Sequence, residues 1–280
     1  MTIGYFIKND ALRTDARVDA LLKHLSASGL SLCPVTAAEG MPSGVQMLLS
    51  IGGDGTFLDA TRIAAGAGVP VLGVNMGRMG FLSETGADDI AELLLSGAYC
   101  IEDRAMLQVS MRDSEGRDFQ PGEPFWPYAL NDVSVMRCGA AMLGIDVTVG
   151  SEKLPTYWAD GLLVSTSTGS TAYSLSVGGP ICLPDTEILI ISPVSPHNLN
   201  VRPLIVPLDT AVGISLQARS GKAMFTMDNC VYTIPSGTVI SLGEAPIKAR
   251  RVNAGKSNFI AALKSRLLWG CDVRNSGEQR

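Results

Sequence analysis

An α/β domain with a parallel sheet, followed by a β-rich, all-β and sandwich-like domain, is the architecture the sequence predicts, and three observations carry it. Strand-like apolar runs alternate with helix-like segments through the first hundred residues, the order that yields a parallel sheet covered by helices. After about Ala105 the helical spacing fades into short alternating runs, the mark of half-buried strands. The chain has 280 residues, 46% hydrophobic and only 18% charged, which suits two packed domains or one large α/β domain and sets aside a disordered chain.

Tyr5 to Ile7 reads as the first strand. Asp10 to Ser28 carries Leu12, Val18, Leu21, Leu22 and Leu25 at helical spacing, with Gly29 as its stop. A strand around Leu30 to Val35 follows. Val45 to Ile51 is a nearly continuous apolar run that ends at Gly52-Gly53, as expected of a central parallel strand buried on both faces. Phe57 to Ala65 reads as a helix, Val69 to Val74 as another buried strand, and Asp88 to Ser96 as an amphipathic helix. In the second part the strand runs are Gln108 to Arg112, Asn131 to Arg137, Ile145 to Val149, Leu162 to Ser165, Glu187 to Ser192, Ala211 to Arg219, Val231 to Ile234 and Thr238 to Leu242. Ser114 to Tyr128, rich in Gly and Pro, reads as a loop or hairpin excursion. Phe259 to Leu268 regains helical spacing. The expected units are a nucleotide-binding domain over 1–105, a β-rich domain over 106–250, and a segment 251–280 packing back on the first.

Composition excludes several functions. A formal charge of −5 argues against broad nucleic-acid or anionic-membrane binding. The apolar runs fall far short of the ~20 residues that a spanning helix needs. Met1 to Ile7 lacks the basic and long apolar regions of a signal peptide, so a cytoplasmic location is expected. Six scattered cysteines without C-x-x-C, and only His24 and His197 as imidazoles, make a structural zinc site a poor fit.

The sharpest chemical feature is Gly52-Gly53-Asp54-Gly55-Thr56, set between a buried strand and a helix. Ligands of open α/β sheets bind beyond the carboxyl ends of the strands, where the next helix points unpaired N–H groups. The glycines let amides approach phosphate oxygens. Asp54 adds a carboxylate that would repel an anion unless it also serves a hydroxyl, a metal or both, as a phosphoryl-acceptor site requires. The alternative is a plain tight turn. A second strand end carries Asn75 to Leu82: Asn75 can bond a ribose or phosphate, and Phe81 either stacks on a base or fills the core. The third segment is the hydroxyl-rich run Ser165 to Ser174 with Ser176, read as a loop that offers neutral hydrogen bonds to a polar ligand or as a surface Ser/Thr loop.

These segments, with Asn131-Asp132, Asp160-Gly161, the run Ser192 to Leu204 and Leu267 to Gly270, stand in the order found in the bacterial NAD kinase family, and the chain resembles that family over nearly its whole length. The resemblance implies ATP-dependent phosphorylation of the 2′-hydroxyl of the adenosine ribose of NAD, giving NADP, with a divalent metal, Mg²⁺, assisting. It implies Asp54 as general base; Gly52, Gly53, Gly55, Thr56, Asn75 and Arg78 around the phosphates; and Asp54, Gly55, Phe81, Asn131, Asp132, Asp160, Thr171, Ala172, Tyr173, Ser174, Ser176 and Asn229 toward NAD. It also implies a homodimer or homotetramer. No residue is assigned to the metal. Four positions depart from the family pattern: Asp132 stands for a usual Glu, Ser167 for a proline, Trp158 for an arginine, and Asp228-Asn229-Cys230 for an Asp-Gly-Gln-like element.

The mechanism also follows from the residues themselves. Phosphoryl transfer needs positioning, neutralised phosphate charge and a proton acceptor. The only Gly-Lys-Ser, at Gly255 to Ser257, has Arg250 where a P-loop needs its first glycine, and no G-x-G-x-x-G follows a strand. The Gly-Gly-Asp-Gly turn is then left to hold the phosphates, with Mg²⁺ and backbone amides neutralising them, Asp54 taking the proton, and Arg62 and Arg78 as helpers. A lipid kinase of the diacylglycerol kinase type and a non-catalytic NAD(H) sensor are the competing readings.

Overall fold

The computed structural model describes residues 1–37, 39–77, 80–83, 90–255 and 259–269. They form two compact units, one of Met1–Glu102 with Arg250–Arg280 and the other of Asp103–Ala249.

The first unit opens with β1 (Thr2–Phe6), α1 (Asp10–Arg13), α2 (Ala16–Ala27), β2 (Ser31–Pro34), β3 (Met47–Ile51), α3 (Asp54–Ala64), β4 (Val71–Val74), α4 (Ile90–Ser96) and β5 (Cys100–Arg104). β1 pairs in parallel with β2 and β3, and β3 with β4. Every residue of β3 and β4 is buried, which is why both read as unbroken apolar runs. Ile3, Leu49, Ile51, Leu72 and Val74 pack with Val18, Leu21 and Leu25 of α2 and Ile90 and Leu94 of α4.

One helix was expected over Asp10 to Ser28; two are present. Asn9 accepts the Ala11 amide at 3.0 Å and Asp15 accepts the Arg17 amide at 2.8 Å. A capping residue takes extended backbone, as Asp15 does (φ −73, ψ 125), so the second cap ends one helix and starts the next. Gly29 (φ 84) then stops α2 as expected.

The second unit contains β6 (Leu107–Arg112), β7 (Tyr128–Ala129), β8 (Asp132–Arg137), β9 (Leu143–Val149), β10 (Glu152–Lys153), β11 (Tyr157–Ala159) and β12 (Gly161–Thr166). A short helix, α5 (Tyr173–Ser176), precedes β13 (Ile188–Val194), β14 (Leu204–Pro207), β15 (Val212–Ala218), β16 (Lys222–Met227), β17 (Cys230–Pro235) and β18 (Val239–Glu244). Two antiparallel sheets result, ordered β10-β9-β15-β18-β6-β7 with β11 on β9, and β14-β13-β12-β8-β16-β17. Leu107, Val109, Ile145 and Ile214 of the first share one core with Val135, Leu162, Val164 and Phe225 of the second. The predicted β-rich sandwich is present.

The chain then adds β19 (Ala249–Asn253) and α6 (Phe259–Arg266) to the first unit. β19 lies between β4 and β5, giving the order β2-β1-β3-β4-β19-β5. Several strands were not expected. β5 is mostly exposed and reads Cys-Ile-Glu-Asp-Arg, while Lys222 and Arg250-Arg251 interrupt the apolar runs of β16 and β19. No helix among the described residues is long and apolar enough to cross a membrane.

Candidate functional site

The expected site residues divide between the two units. In the first, β3 delivers the chain to Gly52, whose amide bonds the Val74 carbonyl at 2.9 Å. Gly52 has φ 154, and a Cβ there would strike the Thr56 hydroxyl, so only glycine fits this turn. Gly53 caps α3, and its carbonyl accepts the Thr56 and Phe57 amides. A Cβ on Gly53 or Gly55 would meet nothing within 4 Å. Neither glycine is crowded on its side-chain face, and both lie at a helix N-terminus, a setting that favours anions.

Asp54, the first residue of α3, turns its carboxylate onto the chain after β4. Oδ2 accepts the Phe81 amide at 2.8 Å, and Oδ1 accepts the Leu82 and Ser83 amides at 3.0 Å each. Gly80 lies against that carboxylate so closely that a Cβ would overlap it. The Asn75 side chain, expected to bond a ribose or phosphate, donates to the Ser83 carbonyl at 3.0 Å and accepts the Gly77 amide at 2.7 Å. The Phe81 ring sits 6.0 Å from Phe259 at 47°, with the Arg266 guanidinium 5.1 Å from its centroid. Arg78 lies outside the described residues.

In the second unit, Asn131 and Asp132 are buried at 8% and 5% exposure, and β8 begins at Asp132. The Asp228 carboxylate accepts three successive amides beside them: Leu130 at 2.8 Å, Asn131 at 2.8 Å and Asp132 at 3.2 Å. Asp228 has φ 50 in the turn between β16 and β17, a left-handed conformation that Asp tolerates better than most residues. Burial, reinforced by the Asp228 charge, pushes the Asp132 carboxyl up to about 7. Asn229 follows on the exposed side of the turn.

Asp160 is ion-paired with Arg137 at 2.6 Å, Nε to Oδ1, and both side chains are 33% exposed. Arg137 also donates to the Gly139 carbonyl. Trp158 lies over Gly144, its partner across the β11–β9 pair. His197 is exposed, with its amide on the Trp158 carbonyl.

The hydroxyl-rich run corrects its reading as a loop. Ser165 and Thr166 complete β12, Thr168–Thr171 form a 3₁₀ turn and Tyr173–Ser176 form α5. Its first hydroxyls face inward: Thr166 Oγ1 donates to the Leu130 carbonyl at 2.7 Å, Ser167 Oγ to Pro184 and Ser170 Oγ to Cys182. Gly169 presses on the Asn131 backbone, with no room for a Cβ. Ser174, expected to face ligand, is fully buried beneath Gly179. Thr171, Ala172, Tyr173 and Ser176 keep solvent access.

Three features escaped the sequence reading: the Asp228 clamp, the Gly80 contact and the Phe259–Arg266 pair. The Asp-Asn step between two strand runs marks a turn at Asp228, but nothing in it marks a partner 98 residues away.

The chain matches the ATP-NAD kinase N-terminal domain family over residues 27–97 and the ATP-NAD kinase C-terminal domain family over residues 130–253. It is 36% identical over 236 residues to a protein named NAD kinase from Flavobacterium psychrophilum, covering 82% of this chain and 78% of that one. A Porphyromonas gingivalis protein of the same name is 37% identical over 238 residues, covering 84% and 80%. A crystal structure of yeast NADH kinase complexed with NADH superposes with TM-score 0.85 at 19% identity, covering 98% of this chain and 89% of that one. An Archaeoglobus fulgidus NAD kinase in complex with ATP gives 0.73 at 20% identity, covering 91% and 95%; these two likenesses speak for the fold. Neither the lipid-kinase nor the sensor alternative draws support from these relatives.

Proposed function

The chain belongs to the NAD kinase family, and from that premise we propose that it moves the terminal phosphoryl group of ATP to the 2′-hydroxyl of the adenosine ribose of NAD, with Asp54 accepting the proton. The observation that carries the assignment is the geometry of Asp54. It sits at the start of α3 between two glycines whose Cβ positions would meet nothing within 4 Å, and its carboxylate is fixed by three main-chain amides. A carboxylate offers about four acceptor positions. The described donors take two on Oδ1 and one on Oδ2, so Oδ2 is the atom we assign to the ribose proton. As the bond from the ribose oxygen to phosphorus forms, that proton passes to Oδ2 and ADP departs.

Gly53 offers its backbone N–H to phosphate oxygens at the start of α3, and Gly55 keeps that approach clear of any Cβ, in place of the lysine of a P-loop. Among the described residues no group of three or more His, Cys, Asp or Glu is placed to hold a metal. Mg²⁺ commonly binds through substrate phosphates and one or two carboxylates, and in this reading the phosphate oxygens would carry it. Toward NAD we assign Phe81, Asn131, Asp132, Asp160, the accessible Thr171, Ala172, Tyr173 and Ser176, and Asn229; buried Ser174 supports the turn. We also infer, from the family resemblance alone, a homodimer or homotetramer, and a sedimentation mass of one chain would refute it.

The direct test is to incubate the purified protein with ATP, Mg²⁺ and NAD and to read NADP with a dehydrogenase that accepts only NADP. NADP that accumulates only with all three present supports the reading. No NADP across a range of divalent metals overturns it.

A further inference from the structure

Building on the assignment of Asp54 as proton acceptor, we infer that the last helix of the chain belongs to the device that holds this carboxylate: Phe259 and Arg266 are positioning residues that act on Asp54 through Phe81. All four residues lie in the first unit. Phe259 and Arg266 are the first and last residues of α6, seven positions apart, so two helical turns bring them to the same face. That face grips one ring. The Phe259 centroid is 6.0 Å from that of Phe81, tilted at 47°, and the Arg266 guanidinium carbon stands 5.1 Å from the Phe81 centroid. The first is an aromatic pair in its attractive range, the second a cation held against a ring.

The backbone of the gripped residue begins the amide series on Asp54. Phe81 supplies the bond to Oδ2, and Leu82 and Ser83 supply the two to Oδ1. Just before it, Gly80 leaves no space between this segment and the carboxylate. The segment is thus pressed against Asp54 on one side and anchored through the Phe81 ring on the other, with Asn75 tying its far end through the Ser83 carbonyl. Releasing the ring frees the residue whose amide sets the atom that we assign to the proton. A misplacement of about 1 Å there is enough to cost on the order of 10²-fold in rate.

The experiment combines steady-state kinetics with amide hydrogen exchange on the full chain. In Phe259→Ala the Phe81, Leu82 and Ser83 amides should exchange about tenfold faster and kcat should fall about tenfold. The KM for ATP and the protection of β3 should stay within twofold, and Phe259→Tyr, which keeps a ring, should restore both readouts. Arg266→Met should move the same two quantities about threefold, with Arg266→Lys in between. If Phe259→Ala also deprotects β3, α6 is needed for folding and the Arg266→Met result decides. Native exchange at Phe81 to Ser83 together with native kcat overturns the inference. Asp54→Asn separates the two claims: turnover surviving that change removes the proton-acceptor assignment, whereas an inactive Asp54→Asn beside a fully active Phe259→Ala removes only the role of α6.

Discussion

Asp54 in the α/β unit and Asp228 in the β-rich unit bind the backbone in the same way, each accepting three successive amides of a segment distant in sequence. Their surroundings differ. Asp54 opens a helix between glycines whose outward faces meet nothing, so its cradle fixes a carboxylate and leaves room for a reactant. Asp228 occupies a hairpin turn next to a second, buried carboxylate, and its negative charge helps raise Asp132 to about 7. One bonding pattern thus serves two ends: in the first unit it aims an acid, and in the second it pins Asn131 and Asp132 and passes the electrostatic strain to a neighbour.

The largest effect is expected at Asp54. Asp54→Asn should lower kcat by roughly 10² to 10⁴, about 3 to 5 kcal/mol of barrier, with a melting temperature within a few degrees of native. Turnover within tenfold of native would remove Asp54 as proton acceptor. Gly80→Ala comes next: a methyl group in the space of the carboxylate should displace Asp54 and cost about 10- to 100-fold in kcat, and unchanged kinetics would mean that the loop gives way freely.

Asp228→Ala should act on stability first. Stranding three main-chain donors costs about 1 to 3 kcal/mol for each that water cannot reach, so an unfolding free energy lowered by about 2 to 4 kcal/mol is expected from denaturant titration; a loss under about 0.5 kcal/mol would show that the clamp is dispensable. The smallest effect sharpens the same contrast. Folded Asp132 holds its proton up to about pH 7, while the unfolded chain releases it near 4. Unfolding over that interval releases a proton, so this group's contribution to stability is present at low pH and is lost as pH rises through 7. Asp132→Asn stays neutral throughout, so its melting temperature minus that of the native protein should grow from pH 5.5 to 8.5. A constant difference would mean that Asp132 is ionised across the range.

The βαβ half was largely legible because its central strands are buried on both faces and read as apolar runs, as Met47 to Ile51 and Val71 to Val74 do. The Gly-Gly-Asp-Gly turn stood out for the same reason: it ends one of those runs. What could not be read were arrangements made by contact across the chain. Nothing local in Phe81 names Phe259, and nothing in Asp228 names Leu130. The hydroxyl run misled because composition does not say which way a side chain points; Ser165, Thr166, Ser170 and Ser174 turn inward, while Thr171, Tyr173 and Ser176 do not. Edge strand β5 was missed because an exposed strand has no need of an apolar pattern.

The placement of β19 between β4 and β5 bears on how the molecule is made. A nascent chain leaving the ribosome has every residue of the β-rich unit before the strand that joins β4 to β5 exists. Until residue 253 emerges, the sheet that carries Asp54 has a gap between two of its strands. The glycine turn and its acid thus reach their finished setting only after the whole β-rich unit has been made.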